Sequence, residues 1–133
     1  MNHPPLEELI QLFSRYPEIR AAYLFGSQAT QKTHPESDLD IALVPGSPEL
    51  REKKLDLYIE LARLGFDHVD LVILDSDDIV LKFEAVRHNQ LLYASPDHDH
   101  PSYYSKIIRQ YFDFVPYLDV QRQAYKRRIL DRS

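Results

Sequence analysis

Apolar positions recur along this chain with two different periods. Leu6, Leu9, Ile10, Leu12 and Phe13 fall at helical spacing and stop before Tyr16-Pro17, which predicts a first helix. Ala21-Ala22-Tyr23-Leu24-Phe25 is instead an unbroken apolar run closing on Gly26-Ser27. That pattern predicts a strand from near Arg20 to Phe25, turning into a short helix after Ser27. The turn-like segment Thr33 to Ser37 then leads to a second strand, Asp38 to Val44. Pro45-Gly46-Ser47-Pro48 is a break, with Ser47 an expected N-cap and Pro48 at the first helical position. Leu50, Leu55, Tyr58, Ile59, Ala62 and Leu64 mark the face of the helix that follows, and Gly65 closes it.

A third strand is predicted over Val69 to Leu74. Asp75-Ser76-Asp77-Asp78 opens another helix, acidic where the helix dipole favours it, with Ile79, Val80, Phe83 and Val86 as its apolar face. Gln90 to Ala94 predicts a short fourth strand at an edge, and the polar Ser95 to Ser102 reads as a loop. From Tyr103 to Leu130 the pattern is helical, with a bend or interruption expected at Pro116. Strands alternating with helices predict an α/β (α+β) fold: a mixed sheet of about four strands flanked by helices, with a C-terminal helical segment. The expected division is a minimal domain over 1–96 and a helical extension over 97–133, packed on that domain or on a partner.

The candidate chemistry gathers where strands end. In a strand, residues two apart share a side, so Asp38 and Asp40 present two carboxylates together at a strand start. Two such hard oxygen ligands repel unless a cation lies between them, and Mg²⁺ is the usual one. Gly26 allows close backbone approach, Ser27 offers a hydroxyl, and a helix N-terminus directs free N–H groups at an anion. The combination reads as a site for a metal-bound nucleotide. Asp70 stands in an otherwise apolar strand, where an unpaired carboxylate would need a partner or a metal. Asp67, just ahead of that strand, is the other candidate for a third carboxylate.

Composition narrows the alternatives. With 133 residues the chain is one domain, large enough for a core but small for a complete two-domain enzyme. The absence of cysteine excludes disulfides, thiolate metal sites and cysteine catalysis. No apolar run approaches the ~20 residues of a membrane span, and the first residues lack a basic-then-apolar secretory pattern; a cytoplasmic location is expected. A net charge of −5 argues against direct nucleic-acid binding. The basic run Arg122, Lys126, Arg127, Arg128 and Arg132 is a local exception, read as a solvated helix end or a surface for a partner. His98 and His100, alternating with Asp97 and Asp99 beside prolines, read as an exposed loop rather than a metal site.

Gly26-Ser27, then Asp38-x-Asp40, then a later strand with Asp70, resembles the signature of the DNA polymerase β-like nucleotidyltransferase superfamily. The shortness of the chain and the wording Ser37-Asp38-Leu39-Asp40-Ile41-Ala42-Leu43 look most like the minimal nucleotidyltransferase (MNT) family, over roughly residues 8 to 94. The resemblance implies a nucleotidyltransferase fold with Asp38, Asp40 and Asp70 as catalytic metal ligands for two Mg²⁺. It implies that Gly26 and Ser27 hold the phosphates of the donor, ATP. It also implies an antitoxin that transfers AMP to a tyrosine of a HEPN-type ribonuclease toxin, in a hetero-oligomer with that toxin. The alternatives are a non-catalytic antitoxin acting by occlusion and, less favoured, a small-molecule nucleotidyltransferase of the antibiotic-modifying type. Relatives often carry Gly where Asn89 stands, and Asn is the residue best able to replace Gly at positive φ.

Overall fold

The computed structural model of the chain describes residues 5–26 and 39–131. Its elements follow in the order α1 (Glu7–Ser14), β1 (Ile19–Phe25), β2 (Leu39–Pro45), a 3-10 helix (Pro48–Lys53), α2 (Lys54–Leu64), β3 (Val69–Ile73), α3 (Ile79–Val86), β4 (Leu91–Ala94) and α4 (His100–Asp131). The strands make one sheet in the order β3-β2-β1-β4. β1 is antiparallel to both its neighbours, and β2 and β3 are parallel, joined through α2. This is the mixed, helix-flanked sheet that the alternating pattern predicts, with β4 at an edge.

Alternation along the strands divides the core into two layers. Leu39, Ile41 and Leu43 of β2, with Leu71 and Ile73 of β3, pack against Leu9 and Phe13 of α1 and Leu57 and Leu61 of α2. Ala42 and Val44 of β2, with Ala21 and Tyr23 of β1, pack on the other side against Ala85 and Val86 of α3 and Ile107 of α4. β1 and β2 are therefore covered on both faces, which is why they read as continuous apolar runs rather than alternating ones. Each large aliphatic side chain so buried contributes about 1.5–3 kcal/mol.

The helices depart from the sequence reading in three places. In α2 the buried positions are Leu57 and Leu61, after Leu50 in the 3-10 helix, while Leu55 is 72% exposed. The buried set keeps the i, i+7, i+11 spacing of one helical face, and Leu55, two residues before Leu57, falls on the opposite side. Ser47 is extended ahead of that helix but makes no capping bond, and its hydroxyl instead bonds the Glu49 carboxylate. α4 starts at His100, inside the segment read as a loop, because the Asp99 carboxylate accepts the Ser102 N–H at 3.3 Å and its hydroxyl at 2.8 Å. The helix then runs through Pro116, whose missing N–H leaves the Phe112 carbonyl without its intrahelical donor.

Other terminators behave as expected. Gly65 adopts φ 98° and its N–H bonds the Ala62 carbonyl at 3.0 Å, while the Phe66 N–H reaches back to Leu61 at 2.9 Å, a left-handed closure of α2. Asp78 caps α3 by accepting the Leu81 N–H at 3.1 Å. The first half of α4 is held on α3 by stacking of Phe83 on Tyr111, with centroids 3.7 Å apart and planes 5° apart.

Candidate active site

Three candidate residues meet at one end of the sheet. β1 finishes at Phe25, directly opposite Asp40 of β2, and Asp40 stands in register with Asp70 of β3. In-register residues on neighbouring strands point to the same side, ~4.8 Å apart at the backbone. That side is fixed by the alternation. Ile41 and Leu71 belong to the α1/α2 layer, so Asp40 and Asp70 lie on the α3/α4 face with Ala42 and Val72. Two carboxylates at adjacent strand starts on one face are the arrangement a divalent cation bridges.

Gly26 follows Phe25 with φ 71°, a left-handed conformation that L side chains rarely adopt. A Cβ added there would overlap the Asp40 carboxylate, with the Asp40 Cγ and Cβ only 3.2 and 3.4 Å away. The glycine therefore does two things. It ends β1 on a left-handed step, and it leaves room for Asp40 to lie against the backbone.

Ser27 and Asp38 lie outside the described residues. Asp70 is exposed at the start of its strand, so its carboxylate carries no burial cost, and what singles it out is its register with Asp40. Asp40 is half-buried. Asp67 is exposed and precedes β3, without a register partner on β2. Among the described residues no group of three or more His, Cys, Asp or Glu side chains is gathered to hold a metal. Asp40 and Asp70 supply two hard oxygen ligands, which fits Mg²⁺ with room for phosphate and water in its remaining positions.

Several cavities lined by described residues lie elsewhere. One of about 480 Å³ is lined by Pro45, Ser47, Arg51 and Asp75. It opens at the far end of β2, about 17 Å along the strand from Asp40 at ~3.3 Å per residue. Arg51 closes it with a two-point ion pair to Asp75, at 2.9 and 2.7 Å, which holds the Asp75 carboxyl below its ordinary pKa. That pair is structural.

One polar group escaped the sequence reading. The buried Tyr23 hydroxyl lies 2.8 Å from His98 Nε2 and 2.8 Å from His100 Nδ1, and His100 Nε2 lies 2.6 Å from Asn89 Oδ1. Asn89 has φ 56°, the positive value its type suggested. The two histidines are thus packed against β1 rather than free in a loop. Their alternation was the visible signal, and the buried tyrosine partner was not.

Residues 7–98 match the family described as polymerase beta, nucleotidyltransferase. No curated protein sequence matches the chain. Among solved structures, a toxin–antitoxin complex with AMP-PNP contains a chain 27% identical, with a TM-score of 0.72, over 96% of this chain and 99% of that one. A tri-AMPylated Shewanella oneidensis HEPN toxin in complex with its MNT antitoxin is similar at 26% identity and a TM-score of 0.65, covering 94% and 95%. A mutant toxin–antitoxin complex, altered from aspartate to glutamate at two positions two apart, is similar at 26% identity and a TM-score of 0.70, covering 96% and 99%.

Proposed function

We propose, since the chain belongs to the polymerase β nucleotidyltransferase family, that it is an antitoxin that transfers AMP from ATP to a tyrosine of a HEPN-type toxin and so neutralises it. The observation that carries this reading is the register of Asp40 with Asp70 beside the positive-φ Gly26. Support for the partner and the donor comes from the solved relatives, which are toxin–antitoxin complexes, one with AMP-PNP and one with a tri-AMPylated toxin.

In this reading Asp38, Asp40 and Asp70 hold two Mg²⁺. When bound, these ions neutralise charge on the triphosphate and lower the pKa of the acceptor hydroxyl. Gly26 and Ser27 grip the outer phosphates with backbone N–H groups and a hydroxyl. Asp70, the more exposed carboxylate, takes the phenolic proton as the tyrosine oxygen bonds to the α-phosphorus. The bond from that phosphorus to the bridging oxygen breaks, and pyrophosphate leaves. Balance is complete without a further reactant.

The division of labour along the chain follows. Residues 1–96 form the minimal transferase, and 97–133 the helical extension. The inward stripe of α4, Ile107, Tyr111, Phe114 and Leu118, continues at the same spacing into Tyr125 and Ile129, which are 62% and 48% exposed. This distal half, with Arg122, Lys126, Arg127 and Arg128, docks the toxin and brings its tyrosine to the site in a cytoplasmic hetero-oligomer.

The test is neutralisation in cells that express the toxin. Asp38→Asn and Asp40→Asn should each abolish rescue while still binding the toxin. Full rescue by both variants would instead point to inhibition by occlusion.

A further inference from the structure

With Asn89 Oδ1 turned to His100, one arrangement of hydrogens satisfies the polar chain through Tyr23 while both imidazoles are neutral. Asn89 Oδ1 accepts, so His100 Nε2 carries a hydrogen and His100 Nδ1 presents a lone pair. Tyr23 O–H donates to that lone pair, and the tyrosine oxygen accepts the His98 Nε2–H. His98 Nδ1 is then a bare lone pair, and it is the buried ring nitrogen that has no hydrogen-bond partner. Every bond in the chain is satisfied while both imidazoles are neutral.

A second proton on either ring breaks it. On His98 the new N–H would point into a buried position with no acceptor. On His100 it would donate to the Tyr23 oxygen and leave the Tyr23 O–H without its acceptor. The surroundings oppose the charged form at His98: burial first, then Arg20 from β1 and His100, hold its pKa below the ordinary value, and Asp99 at the head of α4 works the other way. Tyr103 stacks on Tyr23 from α4, and Tyr104 tilts against His100.

The chain of bonds ties four segments together beside the candidate site. Tyr23 shares the α3/α4 face with Asp40, two positions before Phe25, the register partner of Asp40. The Asn89 N–H bonds the Val86 carbonyl at 2.9 Å, and the next residue, Gln90, accepts the Leu24 N–H at 2.9 Å. The α3–β4 turn is therefore seated against the last residues of β1, just ahead of Gly26. His100 is the first residue of α4.

We propose that Tyr23, His98, His100 and Asn89 form a protonation-sensitive positioning network. It seats the α3–β4 turn and the head of α4 against the Gly26 end of β1, so that nucleotide affinity falls when either histidine gains a proton. None of the four is a catalytic residue. The proposal rests on the nucleotidyltransferase reading for its ligand but not for the bonding itself.

The test uses the full chain with Mg²⁺ and a non-hydrolysable ATP analogue, at about pH 8 and about pH 5.5, either side of the histidine range. At the higher pH, Tyr23→Phe, which keeps the buried ring, should bind about fivefold more weakly than wild type, the effect of one ordinary hydrogen bond. At the lower pH the difference should narrow, as the rings begin to take up a second proton. A ratio that does not change with pH, or no difference at either, overturns the proposal. Nitrogen NMR of the wild-type histidine rings gives a second reading that needs no variant. Hydrogen on Nε2 and a bare Nδ1 in both His98 and His100 at the higher pH is expected, and an Nδ1–H in either ring overturns the network. A wild-type chain that binds no nucleotide at either pH removes the positioning role together with the functional reading, while the ring nitrogens still report on the bonds.

Discussion

Asp40 and Asp70 stand in register on adjacent parallel strands, on the face of the sheet covered by α3 and α4. Their separation in sequence is bridged by α2, so the pair exists only when the crossover is folded. Replacing either by Asn removes a charge from a site that is not deeply buried. We expect each variant to melt close to wild type and to lose at least about 100-fold in nucleotide transfer, the scale of disturbed metal ligation. Asp67→Asn, outside the strand, should remain near wild type. Kinetics and thermal melting of the three variants side by side decide between Asp70 and Asp67 as the third carboxylate.

Gly26→Ala should be harmful for two reasons that add. The left-handed φ of 71° costs an L residue roughly 1–2 kcal/mol, and the new methyl meets the Asp40 carboxylate. The expected outcome is a lower melting temperature together with loss of nucleotide binding. A variant that melts lower but binds normally would mean that Asp40 moves aside without consequence, and would detach Gly26 from the site.

Alkaline stability reports on two half-buried phenols. Tyr16 is raised to about 12, by burial first and then by its 2.8 Å hydrogen bond to Asp56, and Tyr103 is raised to about 12 by burial. Their folded values lie above the ordinary 10.0, so their contribution is whole below pH 10 and is lost as the pH rises towards 12. Tyr16→Phe should flatten the fall in stability over that window, as measured by denaturant titration at several alkaline pH values. An unchanged slope would show that Tyr16 titrates as an exposed phenol.

The distal half of α4 offers a separate test of the partner. Tyr125→Asp with Ile129→Asp should leave the melting of the chain alone unchanged, since both side chains are largely exposed. The same pair should weaken the complex with the toxin by about tenfold or more, as loss of two apolar anchors does. Arg127→Glu with Arg128→Glu should weaken it too, and more at low salt than at high. Affinity indifferent to all four changes would move the interface elsewhere.

What could be read from the sequence was what is decided locally. β1 and β2 are buried on both faces, so unbroken apolar runs reveal them, and Gly26 and Asp40 sit at their ends. Asn89 was legible for the same reason, because a positive φ is a property of one residue and its type. The face of α2 differs where Leu55 and Ile59, apolar but exposed, stand off the Leu50, Leu57 and Leu61 stripe, and the start of α4 where a single Asp99 cap outweighs a polar composition. Asp70 was expected from burial and is exposed; its place beside Asp40 is a matter of strand register. Tyr23 and its histidines meet across 75 and 77 residues, and no periodicity carries information over that distance.

The measurement that bears most directly on the account is intact mass spectrometry of the HEPN-type toxin after incubation with this chain, Mg²⁺ and each nucleoside triphosphate in turn. The account predicts a mass gain of one or more AMP groups with ATP, placed on tyrosine and absent with Asp40→Asn. A stable complex in which the toxin mass never changes would contradict it.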